Sequence, residues 1–239
     1  MLITKENFSA IDYKEGAMLL VDKPLGWTSF DVVNKIRYAL TKRLGTKKLK
    51  VGHAGTLDPL ATGLLLICIG KFTKKLNDFQ DFDKTYTGKF FIGATTPSHD
   101  KETPIEAYYS TIHITPNLLE VAQQQFLGTI QQMPPIFSAI KVDGVPVYKK
   151  ARAGKEVLLE TRTVTIHRFL LQSTQLPEIE FEVACSKGTY IRSLAYDFGM
   201  ALGSGAFLSK LRRTQIGDYH VDDAWELLDF IDCLRQRED

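Results

Sequence analysis

The residues from Val51 to Leu65 read Val-Gly-His-Ala-Gly-Thr-Leu-Asp-Pro-Leu-Ala-Thr-Gly-Leu-Leu, and no other stretch of the chain is as dense in chemically useful types. Asp58 supplies a carboxylate, a group able to attack carbon or to take a proton. Pro59 disfavours a helical conformation for the residue before it, which puts Asp58 in a loop. Gly52, Gly55 and Gly63 permit tight turns and close approach of backbone to a ligand. Taken singly, Asp58 also fits a turn or helix-cap aspartate, and His53 a structural histidine. The glycines do not form a phosphate-binding fingerprint, and Gly70-Lys71-Phe72-Thr73 resembles the end of one only loosely. Cys68, Cys185 and Cys233 are far apart, and no Cys-x-x-Cys pair or histidine cluster has metal-ligand spacing. A zinc site and a disulfide framework are therefore not expected, and each cysteine reads as a small buried hydrophobe.

Elements able to hold this loop lie on either side of it. Ala17–Val21 reads as a short strand ended by Asp22-Lys23-Pro24 and Gly26. Ser29 is placed to cap a helix over about 30–40, with Val33, Ile36, Ala39 and Leu40 at helical spacing. After the loop, the apolar run Leu64–Ile69 reads as a buried strand, being far short of the ~18–20 residues that span a membrane. Phe72, Leu76 and Phe79 suggest a short helix, and Lys84–Gly93 alternates as a strand. Thr115-Pro116 opens a helix carrying Leu119, Ala122 and Phe126 and closed by Gly128, and a loop rich in Pro, Gly and basic residues spans about 133–155. Thr163–Leu171 and Ile179–Cys185 read as strands, Tyr190–Leu202 as an amphipathic helix, and about Asp222–Leu234 as a last helix carrying Trp225, Leu228, Ile231 and Leu234. Without regular βαβ alternation, the expected class is α+β: a central, mostly antiparallel or mixed sheet flanked by helices.

Length and charge set the outer bounds. The chain has 239 residues, 44% hydrophobic and 24% charged, which excludes a disordered or fibrous protein and allows one large domain or two small ones. The N-terminus lacks the basic-then-apolar run of a signal peptide, so a cytoplasmic protein is expected. The net charge of +2 is unevenly spread: residues 218–239 carry eight acids against two arginines, leaving +8 on the first 217 residues. Lys35 to Lys50 alone holds Lys35, Arg37, Lys42, Arg43, Lys47, Lys48 and Lys50 without an acid, and Lys210, Arg212 and Arg213 form a later cluster. Any one cluster fits a solvated face. Together they favour a polyanionic partner.

The loop Gly52–Gly63 closely resembles the signature of the TruB family of tRNA pseudouridine synthases, and further blocks follow in the family's order. Leu20-Val21-Asp22-Lys23-Pro24 with Gly26-Trp27-Thr28-Ser29 resembles its N-terminal motif, and Lys84-Thr85-Tyr86 its Lys-x-Tyr strand. Phe137-Ser138-Ala139-Ile140-Lys141 resembles its mid-chain segment, Cys185–Leu194 its third motif, and Leu211-Arg212-Arg213 closes the set. The blocks cover about 17–213.

The resemblance implies the pseudouridine synthase fold with an RNA-binding cleft, and isomerisation of uridine-55 in the tRNA T loop without metal or cofactor. Asp58 would act on the sugar, as nucleophile at C1′ or by removing the C2′ proton, and Arg192 would pair with it and keep it ionised. Tyr86 would stack on the flipped base and is a proposed route for the C5 proton. Tyr190 and Leu211 would line the uracil pocket, His53 would contact RNA where the base has left the stack, and the 133–155 loop would close on the RNA. Many bacterial members carry a C-terminal PUA-type domain. The 26 residues after Arg213 are too few for one, so 1–217 is expected to be the catalytic domain and 218–239 an acidic helical extension packed on it. The expected partner is the tRNA T arm, with no membrane and no obligate protein partner, and a monomer suffices. Two other readings are an RNA-folding helper in which catalysis is secondary or lost, and a subunit of an RNA-guided synthase.

Overall fold

The computed structural model describes residues 1–137, 141–142, 145–147 and 159–235. In chain order the strands are β1 (Ala17–Lys23), β2 (Val51–Ala54), β3 (Ala61–Ile69), β4 (Lys84–Ile92), β5 (Ala94–Thr95), β6 (Ala107–Tyr108), β7 (Gly128–Gln132), β8 (Lys141–Val142), β9 (Val145–Pro146), β10 (Arg162–Ser173), β11 (Glu178–Cys185), β12 (Ala206–Ile216), β13 (Tyr219–His220) and β14 (Trp225–Glu226). The α-helices are α1 (Ser29–Arg43), α2 (Leu76–Gln80), α3 (Pro116–Gln124), α4 (Ile191–Ala201) and α5 (Leu227–Arg235). They form two compact units, Met1–Tyr86 with Leu211–Asp239, and Thr87–Lys210. Parallel and antiparallel pairs flanked by helices make this the α+β arrangement expected from the sequence.

The first unit has the strand order β14-β1-β3-β12, with β2 also paired to β3 and β13 to β12. Period-2 alternation divides β1 and β3 between two cores. Leu19, Val21, Leu65 and Ile67 pack with Val33, Ile36 and Leu40 of α1 and Phe230 and Ile231 of α5. Leu20, Leu64, Leu66 and Cys68 pack with Phe79, Ile216 and Val221. A strand covered on each face can be apolar throughout, which is why 64–69 shows no alternation. Each fully buried leucine there contributes roughly 1.5–3 kcal/mol before entropy is counted.

Three local expectations are corrected. Helix α1 is capped by Thr28 rather than Ser29: the Thr28 hydroxyl accepts from Asp31 N and the Asp31 carboxylate accepts from Thr28 N, a capping box one residue earlier. The last helix starts at Leu227, because Trp225 lies in β14 opposite Val21 and strand pairing prevails over helical spacing. Gly128 does not close α3, which ends at Gln124; with φ at +82° it opens β7.

The second unit orders β4, β11, β10 and β7 side by side. Antiparallel β10 and β11 pair Phe169 with Val183, and β7 pairs with β10 at Val164–Ile130. Phe90, Phe169, Phe181 and Phe198 form its aromatic centre, with the Phe90 and Phe181 rings stacked at 4.1 Å. Most of the 133–155 loop, and Ser138, Ala139 and Ile140 of the mid-chain motif, lie outside the described residues.

Candidate active site

Asp58 sits on a loop whose backbone is fastened on each side of it. The Ser29 hydroxyl donates to Leu57 O (3.1 Å) and accepts from Leu57 N (2.8 Å), and Gly26 N donates to Pro59 O (2.8 Å). Ala61 N closes a turn on Asp58 O at 3.0 Å, with Pro59 in the second position that such turns favour. Leu57 is buried and Asp58 half-buried, so the apolar neighbour anchors the loop beside the acid. The hydroxyl freed because Thr28 does the capping is thus the one that holds the loop. This gives the N-terminal motif a physical purpose: residues 26–29 are the clamp for residues 57–59.

Beneath the loop lies a row of cations in strand register. Lys23 of β1 stands opposite Gly63 of β3, and Gly63 opposite Arg213 of β12. Lys23 and Arg213 are 0% and 1% exposed. The Lys23 ammonium donates to Pro24 O (3.0 Å) and Trp27 O (2.7 Å), and Arg213 donates from Nε to Leu64 O (2.8 Å) and from Nη2 to Gly55 O (3.1 Å). Gly55, at φ +87°, turns the chain so that its carbonyl meets that guanidinium. Beside them Arg212 pairs through two nitrogens with the Asp22 carboxylate. The basic cluster at 212–213, which the sequence suggested as a polyanion contact, is therefore spent on internal bonds, since a buried cation needs acceptors.

Burial pushes the Lys23 amine down to about 8; the Asp58 charge pulls the other way and Arg213 adds to the depression. Between about pH 8 and its ordinary value the unfolded chain binds the proton that the folded chain has released, so this group's contribution to stability rises with pH. Lys23→Met is expected to cost about 2 kcal/mol at pH 7 by leaving two carbonyls without their donor. Urea titrations should show that deficit widening from pH 7 to pH 9.5, because other titrating groups are common to the two proteins.

His53, on β2, is also held in this unit. Burial pulls its imidazole below the ordinary value, and the Arg213 charge reinforces the effect. Its Nδ1 is buried without a hydrogen-bond partner. Tyr86, at 9% exposure, ends the first segment of the unit, and Leu211, equally buried, pairs with Ala61. The strand before Tyr86 is pinned by Lys84, whose ammonium donates to Gln80 O and Phe82 O.

Tyr190 and Arg192 belong to the second unit, at the start of α4. Gln132, fully buried, holds the Tyr190 backbone at each end, accepting from its N (2.7 Å) and donating to its O (3.1 Å). Arg192 is buried and donates to Ser98 O (3.3 Å) and Phe137 O (2.9 Å), with Nε 3.7 Å from the Asp100 carboxylate. Sequence reasoning missed Asp100, Lys23 and Arg213 as site supports. Asp100 carries no pattern of its own in the sequence. Lys23 and Arg213 do lie in the recognised motifs, but their burial follows only from strand register.

Residues 42–191 match the family model described as TruB family pseudouridylate synthase (N terminal domain), and residues 192–239 match tRNA pseudouridylate synthase B C-terminal domain. The chain is 58% identical over 225 residues to the tRNA pseudouridine synthase B of Flavobacterium johnsoniae, covering 94% of this chain and 98% of that one. It is 53% identical over 228 residues to the protein of that name from Phocaeicola vulgatus, covering 95% and 97%. Among solved structures, a chain of a Cbf5-Nop10-Gar1 complex superposes with a TM-score of 0.67 at 27% identity, covering 92% of this chain and 54% of that one. With its signature loop clamped at Leu57 and Pro59, and with near full-length matches at this identity, the chain belongs to the TruB family of tRNA pseudouridine synthases.

Proposed function

We propose that the protein converts uridine-55 in the T loop of tRNA to pseudouridine, with Asp58 as the essential carboxylate. The observation that carries this is the loop itself: backbone fastened on either side of an acid that is not fully buried. The reaction breaks N1–C1′, turns the uracil and joins C5 to C1′, and the proton leaving C5 balances the one gained at N1. Asp58 acts at the sugar, at C1′ or on the C2′ proton. Arg192 pairs with it, Tyr86 stacks on the extruded base, Tyr190 and Leu211 line its pocket, and His53 contacts the RNA. Extruding a base costs a few kcal/mol, which stacking offsets. Lys47, Lys48 and Lys50 are exposed and suit phosphate contacts, whereas Arg37 and Arg43 of the same run donate to Val51 O and Leu234 O.

The reaction is assigned to 1–217, with 218–239 as an extension packed on it; the pairing of β14 with β1, and Phe230 and Ile231 in the core shared with β1, support its packing there. The protein acts in the cytoplasm, as a monomer without a protein partner or cofactor. Among the described residues no helix is long and apolar enough to cross a membrane. The folding-helper reading is not favoured, because the sequence keeps Asp58, Tyr86 and Arg192 within the family's motifs.

The test is purified protein alone with an unmodified tRNA transcript. Pseudouridine at position 55, and none in a transcript with cytidine there, is expected. No product without cell extract would overturn the partner-free reading. Tyr86→Ala is expected to lower kcat/KM at least about tenfold, since stacking on an aromatic is worth roughly 1–3 kcal/mol per base.

A further inference from the structure

Among the described residues only three buried side-chain nitrogens or oxygens lack a hydrogen-bond partner: His53 Nδ1, His99 Nδ1 and Arg162 Nε. Buried donors without acceptors are rare enough to call for a reason. Arg162 is the most informative of the three. Every other described arginine has an oxygen acceptor: Arg37, Arg43 and Arg213 on carbonyls, Arg168, Arg212 and Arg235 on carboxylates, and Arg192 on two carbonyls beside a carboxylate. The Arg162 guanidinium instead lies over the Tyr190 ring, Cζ 5.1 Å from its centroid.

The surroundings hold that group in place without satisfying it. Arg162 is the first residue of β10 and pairs directly with Gln132 of β7, the residue that clamps the Tyr190 backbone. Backbone and ring partner are thus fixed by one buried glutamine. Gly188, at φ +80°, is the neighbour whose added Cβ would stand 3.6 Å from Nη1, so no side chain at that position covers the fork. Stacking occupies the face of a guanidinium, and its planar N–H edge fits two oxygens of one phosphate once Nε, covered in the free protein, is exposed.

We propose that Arg162 is a phosphate ligand for the RNA backbone next to the base pocket, held on Tyr190 until a phosphate supplies the acceptor that Nε lacks. This rests on the reading of Tyr190 as a uracil-pocket residue. It adds a specific contact at the pocket edge to the diffuse attraction of the surface lysines.

The test is the salt dependence of binding to an unmodified tRNA transcript between 50 and 200 mM KCl, with thermal melts confirming that each variant folds. One phosphate contact contributes roughly 0.7–0.9 to the slope of log K against log salt. Arg162→Gln is expected to lower the slope by about that amount and to weaken binding about tenfold at low salt, with the loss falling mainly on KM. Arg162→Lys should restore the slope but not the full affinity, because it keeps the charge and loses the planar fork. Arg168→Gln, on the same strand but paired with Glu182, should leave the slope unchanged. An unchanged slope in Arg162→Gln, or a loss confined to the rate at saturation, would overturn the proposal and leave Arg162 as a support for Tyr190. Failure of the underlying reading looks different: the wild-type protein would not modify the transcript at all.

Discussion

Asp58→Asn is expected to reduce pseudouridine formation by roughly 10,000-fold or more, with tRNA affinity close to that of the wild type. An amide can neither attack C1′ nor take the C2′ proton, so no route open to the carboxylate survives. The fold should survive the change, although removing the Asp58 charge leaves the buried Lys23 ammonium less well compensated. The loop is held through the backbone of Leu57 and Pro59 and the carbonyl of Asp58, none of which the substitution alters. Single-turnover assays at saturating tRNA, with binding measured in parallel, check this. Residual activity above about one per cent would mean that another group carries the reaction.

Gly63→Ala is the largest expected effect on stability. A Cβ at Gly63 would stand 2.2 Å from Arg213 O and 2.6 Å from Arg213 N, and φ is +105°, where L side chains are strained. The obstacle is paired backbone, so no side-chain rotation relieves it. Strain of about 1–3 kcal/mol and overpacking of similar size act together, giving a cost of about 4–5 kcal/mol and a fall in Tm of about 10–20 °C. Gly26→Ala is the control: φ is +82°, but nothing lies within 4 Å of the added carbon, and about 1 kcal/mol is expected. Scanning calorimetry should rank Gly63→Ala far below Gly26→Ala.

The contrast shows how far the sequence could be read. The glycines of 52–63 suggested close approach to a ligand, but at Gly63 the approaching group is a neighbouring strand. β3 was legible because six apolar residues in a row have few other fates. β12 was not, because its Lys210, Arg212 and Arg213 read as surface charge, whereas Arg213 is internal and Arg212 is paired with Asp22. Burial of a cation depends on carbonyls brought from Gly55 and Leu64, and no local pattern reveals them. Asp58, Tyr86 and Arg192 were singled out because motif order carries information that periodicity does not. Asp100, which meets Arg192 only through tertiary folding, had no such signal.

The first unit is written in two separated pieces, and this has a consequence for synthesis. The carboxylate, its Ser29 clamp and Lys23 all emerge early, but Arg213 and Trp225 are translated about 150 residues later. At roughly 5–20 residues per second that interval is on the order of ten to thirty seconds. Throughout it β1 and β3 lack β12 and β14 at their flanks and α5 on their apolar face. The contiguous second unit can complete its strands first. A chain stalled before residue 211 therefore carries Asp58 and Ser29 without β12, β14 and α5 around β1 and β3, so the nascent enzyme gains its frame only once residues 211–235 have been made.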